Sequence, residues 1–166
     1  MIVIADTSPL NYLVLIHAAH VLPQLYRQVL IPEAVLAELQ DSDAPAAVAA
    51  WVSSLPSWVE VQPAPDTSDA ALDELDAGER AAIALAQALP PPVLLLMDDV
   101  RGRNEASRRQ IPVTGTLGVL QAAAIRDLLD LPTALARLGQ TNFRTSAALI
   151  EELLAADAER KRRHQT

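Results

Sequence analysis

The chain has 166 residues, 51% of them hydrophobic and only 3% aromatic, and a formal net charge of −8. That length suits one domain with a real core. The acidity argues against a broadly basic nucleic-acid binder, and the absence of Cys excludes disulfides, thiolate catalysis and zinc–thiolate sites. His17, His20 and His164 form no ligand cluster with carboxylates at useful spacing. No basic leader is present, and no apolar run approaches the roughly 18 residues of a membrane span, so a cytoplasmic protein with no membrane partner is expected.

In chain order, Ile2 to Ala5 is a β-branched apolar run that reads as a strand buried on both faces. Asp6 ends it, and a helix is expected to follow with Ser8 as N-cap and Pro9 at its first position. A short helix is expected over 21–27, a strand over 28–31, and a helix opened by Pro32. A further helix over 46–55 and a strand over 58–61 come next. The Pro- and Asp-rich stretch 62–70 reads as a loop rather than a domain boundary. The helix expected over 78–89 is stopped by three prolines, and Val93 to Met97 is the strongest strand of the chain. A helix over 101–110, a short strand over 111–113 and helices over 115–129, 132–139 and 145–159 complete the pattern. Apolar strands alternating with amphipathic helices indicate a three-layer α/β/α sandwich around a mainly parallel, Rossmann-like sheet. The domain is placed at 1–155, with 156–166 as a charged tail.

The acids fall at informative places. Asp6 and the pair Asp98-Asp99 lie at the carboxyl ends of buried strands, Glu38 on the helix after the second strand, and Glu79 at a helix start. In a doubly wound sheet such positions open onto one crevice. Converging carboxylates repel one another, and a divalent cation removes the conflict. Oxygen donors without His or Cys point to Mg²⁺ or Mn²⁺. Each acid also has a local reading. Asp6 can serve its own turn, Glu38 can be a solvated helix residue, and Asp76 with Glu79 can form a capping-box pair. Asp99 can cap the helix beyond it.

These segments resemble the PIN domain family. Met1 to Ser8 opens like it, Ile31 to Leu39 is similar to its second motif, and Asp76 to Ala86 to the helix carrying its third acid. Leu94 to Asp99 is similar to the strand delivering the fourth, and Pro112 to Leu120 resembles a signature of a prokaryotic PIN-like subfamily. The resemblance implies a metal-dependent endoribonuclease, with Asp6, Glu38, Glu79 and Asp98 as catalytic acids and Asp6, Glu79, Asp98 and Asp99 as metal ligands. The sequence departs from the family at Glu79, where many relatives have Asp, and at Met97-Asp98-Asp99, where the common toxin branch has Thr, one residue, then Asp. Asp98 is favoured over Asp99, with Asp76 in reserve for Glu79. The family includes VapC-type toxins, which implies RNA as substrate, a small antitoxin protein as partner and a homodimer.

For substrate contact, Thr7 or Ser8 can offer a hydroxyl, Asn11 lies one turn on, and Arg101 and Arg103 lead the Arg-rich stretch after Asp99. Two other readings compete. One is a PIN-like interaction protein with little activity, its Ala/Leu helices binding a partner. The other is an aspartyl-nucleophile phosphatase, ranked low because the second Asp that chemistry needs is replaced by Ser8.

Overall fold

A computed structural model describes residues 1–164. The elements run β1 (Ile2–Ala5), α1 (Thr7–Leu15), α2 (Val21–Tyr26), β2 (Val29–Pro32), α3 (Glu33–Leu39), α4 (Ala46–Val52), β3 (Val59–Gln62), a 3-10 turn at Ala70–Leu72, α5 (Ala77–Ala88), β4 (Val93–Leu96), α6 (Val100–Arg108), β5 (Val113–Thr114), α7 (Thr116–Ile125), α8 (Leu131–Leu138) and α9 (Ala147–Arg163). The five strands form one parallel sheet in the order β3-β2-β1-β4-β5. β1 occupies the centre, paired Ile4 to Leu30 on one side and Ala5 to Leu96 on the other.

The uniformly apolar strands are explained by burial on both faces. Side chains alternate across a strand, so Val3 and Ala5 enter one core while Ile4 enters the other. The first core holds α1, α2, α7 and α8, with Leu13, Leu22, Leu120 and Leu138. The second lies beneath α5 and α6, with Ile83, Met97 and Ala106. Small residues bring the helices close, as at Ala82, Ala123 and Ala124, all fully buried. This is the expected α/β/α sandwich, with an all-parallel sheet. None of the described helices is long and apolar enough to cross a membrane.

Several boundaries move for local reasons. α1 begins at Thr7, with Asp6 rather than Ser8 at the N-cap position. The Asp6 N–H donates to Leu96 O as the last sheet bond (2.9 Å), and the chain turns directly into helix. Pro9 then sits in the first turn, where an N–H has no helical acceptor anyway. Pro112 lies outside β5, yet its carbonyl accepts from Leu95 N at 2.8 Å, as an edge position allows. The boundary drawn after residue 155 falls inside α9, which continues to Arg163. Asp157, buried on that helix, accepts from Arg160 and Lys161, which also reach Asp127 and Asp130. Residues 165 and 166 of the expected tail lie outside the described residues.

Candidate metal centre

The chain order reverses between β1 and β4, since β1 leads outward to β2 and β3 while β4 begins the other half of the sheet. Ligands of open α/β sheets bind at such a switch point, beyond the strands' carboxyl ends. Asp6 emerges there from β1 and Asp98 follows β4.

Asp6 is 3% exposed, and its Oδ1 is buried with no hydrogen-bond partner. An orphaned buried carboxylate oxygen is costly and calls for a cation or a proton. Burial pushes the Asp6 carboxyl well above the ordinary carboxylate range; the Thr7 N–H opposes this, and the charges of Asp76, Glu79 and Glu38 add to it.

Glu38 reaches the same place from α3. Its Oε2 accepts from the Thr7 hydroxyl and its Oε1 accepts from Gly78 N at 2.8 Å. A Cβ at residue 78 would lie 2.6 Å from Glu38 Oε2, so glycine makes room for the carboxylate. The next two acids come from the start of α5. Asp76 caps the helix, accepting from Glu79 N at 2.9 Å, while Glu79 Oε2 accepts from Asp76 N at 3.3 Å. This is a reciprocal capping box. Burial, with the neighbouring Asp76 and Asp99, raises the Glu79 carboxyl to about 7.

Among the described residues, Asp6, Glu38 and Asp76 offer carboxylate oxygens that all lie within 4.8 Å of one another. This hard, oxygen-only donor set suits Mg²⁺ or Mn²⁺, and the unpartnered Asp6 Oδ1 is the atom such an ion would satisfy. The site residues expected from sequence divide around this group. Asp6 and Glu38 are members, and Asp76, expected only in reserve, is the third. Glu79 adjoins the group, its carboxylate turned back on its own helix cap.

The Asp98-Asp99 pair splits. Asp99 is exposed and caps α6, its Oδ1 accepting from Arg101 N and Gly102 N at 2.9 and 3.0 Å. Asp98 lies outside the group of three and is bonded to Thr116. Its Oδ1 accepts from Thr116 N and its Oδ2 from Thr116 Oγ1, both at 2.7 Å. Burial raises the Asp98 carboxyl, against the two Thr116 bonds and the charge of Arg103.

Of the substrate residues expected, Thr7 binds Glu38, while Ser8 and Asn11 are half-buried on α1. Arg103 stands beside Asp98, and Arg101 is exposed at a shallow cleft with Glu74 and Arg108. Sequence reasoning assigned no role to Gly78 or Thr116. Both lay inside quoted motifs.

A family model described as PIN domain matches residues 2–159. The chain belongs to the PIN domain family. PIN domains are generally nucleases and typically bind divalent metal, and this PIN domain carries an acidic cluster able to offer oxygen ligands to one. No curated protein and no solved structure matches the chain significantly.

Proposed function

We propose that this PIN domain is a Mg²⁺- or Mn²⁺-dependent endoribonuclease, the toxin of a toxin–antitoxin pair resembling the VapC type. The observation that carries the reading is the buried Asp6, with Oδ1 unpartnered beside Glu38 and Asp76. Asp6, Glu38 and Asp76 would hold the ion, with Glu79 and Asp99 adding negative charge beside it. When bound, the ion supplies activation of water and charge neutralisation at the phosphodiester. Thr7 keeps Glu38 oriented through its hydroxyl, and the Gly78 N–H fixes the second oxygen. Glu79, raised in the metal-free chain by burial and by the charges of Asp76 and Asp99, stays bonded to Asp76 N and shapes the field at the ion. Arg101, on the helix after Asp99, supplies positive charge for an RNA backbone, and Arg103, beside Asp98, adds a second cation for contact with the RNA.

The same proposal includes a cytoplasmic setting, a small antitoxin protein and a second copy of the chain as partners.

The test pairs Mn²⁺-dependent thermal stabilisation with cleavage of single-stranded RNA, in the wild type and in Asp6→Asn. Wild-type protein should show both and the variant neither. Cleavage that survives in Asp6→Asn overturns the nuclease assignment. Absence of stabilisation by Mn²⁺ favours the interaction-protein reading.

A further inference from the structure

Next to the acidic cluster, a separate cavity of about 400 Å³ opens between Asp98, Arg103 and α7 on one side and the start of α9 on the other. We infer that it holds one unpaired guanine nucleotide of the RNA strand, a unit adjoining the phosphodiester that the acids act on. The identification of the strand as RNA rests on the ribonuclease reading; the cavity and its chemistry do not.

Its location follows from the sheet. Ala5 and Leu96 are in register, so the chains leaving β1 and β4 open side by side. One leads to Asp6 and the other to Asp98. The volume lies at the small-ligand end of the range of about 300–1,000 Å³ seen for binding clefts.

The wall is built in advance. Tyr12 of α1 donates its hydroxyl to Asn142 Oδ1 at 2.9 Å. Its ring meets Phe143 edge to face, with centroids 5.0 Å apart. Phe143 and Leu149 give the cavity an apolar, partly aromatic side, which suits a base freed from its stack.

The polar side carries the specificity. Asp98 is fixed by two bonds from Thr116 and keeps lone pairs free. A Cβ on Gly115 would fall 2.6 Å from Asp98 Oδ1 and 2.7 Å from an Arg103 guanidinium nitrogen. Glycine therefore lets the carboxylate and the guanidinium stand side by side at the cavity. Guanine presents the complement, with two N–H donors for a carboxylate beside a carbonyl acceptor for a guanidinium. Adenine, cytosine and uracil do not offer that edge. Arg144, exposed at the rim, is placed for the nucleotide's phosphate.

Calorimetric titration of the full chain with the four nucleoside monophosphates, without divalent ion, tests this. GMP should bind, and the others should bind at least about tenfold more weakly. Arg103→Ala should erase the preference, and Arg144→Ala should weaken GMP while leaving guanosine unchanged. Circular dichroism establishes that both variants fold. A single-stranded oligoribonucleotide with one G should displace GMP, and its all-A counterpart should not.

No binding of GMP at millimolar concentration, equal binding of all four, or a preference that survives Arg103→Ala overturns the guanine site. Failure of the oligonucleotide to displace GMP overturns the assignment to RNA in favour of a free nucleotide. Asp6→Asn should bind GMP as the wild type does. A failed metal site and a failed base site are thereby told apart.

Discussion

The Glu38 carboxylate occupies the space that a side chain on residue 78 would need: its Oε1 accepts from Gly78 N at 2.8 Å, and its Oε2 lies 2.6 Å from where a Cβ would stand. Two helices far apart in sequence, α3 and α5, are locked at the acidic cluster by this contact. In an ordinary helix, Gly→Ala gains about 0.5–1 kcal/mol. Here Gly78→Ala should reverse that sign, since the carboxylate must swing away from Thr7 and from the residue 78 N–H. Mn²⁺ affinity should fall by about tenfold or more, as for loss of a ligand's orienting contact. Thermal shift against Mn²⁺ concentration measures it; undiminished affinity would show that Glu38 does not hold the ion.

Asp6→Asn isolates the electrostatic conflict. The buried carboxylate faces the charges of Asp76, Glu79 and Glu38. Removing its charge should raise the melting temperature of the metal-free protein while lowering Mn²⁺ affinity by about 100-fold. A change of the same sign in both quantities would contradict the metal assignment.

The pH dependence has a definite direction. Glu79 titrates near 7 in the folded chain, above the ordinary glutamate value of 4.5, and Asp6 is raised as well. Between these values the folded state binds more protons than the unfolded state. Stability of the metal-free protein therefore falls as pH rises from about 5 to about 7.5. The lowered acids, such as Asp130 at about 2, lose their contribution only in more acidic solution and do not oppose the trend in that window. Urea midpoints across the range should fall steadily, and Glu79→Gln should flatten the curve.

Away from the site, Arg109 ties the loop before α5 to α6. It pairs with Asp69, which caps the 3-10 turn, and with the buried Glu105. Arg109→Ala should cost about 1–3 kcal/mol, because Glu105 keeps only its pairing with Arg108. Hydrogen exchange at Ala71 N, bonded to Asp69 Oδ1, should quicken with it.

Much of this was legible locally. The strand alternating with helix, the capping pair Asp76 and Glu79, and Asp99 as a cap depend on residues a few positions apart. So does the placing of Asp6 at the end of a doubly buried strand. The exit from β1 was harder to read. Ser8 and Pro9 carry good start signals, but a sheet bond from Asp6 N to Leu96 O decides where the helix begins. The end of the chain was harder for a similar reason. Its basic run looks like a solvated tail, yet Asp157, Asp127 and Asp130 pair with it and keep it helical to Arg163.

The order of strands, helices and acids was determined by the sequence alone, because periodicity and capping are short-range properties. Tertiary structure decided which acids meet. Asp76 joins Asp6 and Glu38 because Gly78 lets α3 and α5 approach. Asp98 lies outside that group, each of its oxygens accepting one bond from Thr116, eighteen positions on. Those outcomes depend on contacts across the sheet's switch point, and no local pattern encodes a distance between residues so far apart in the chain.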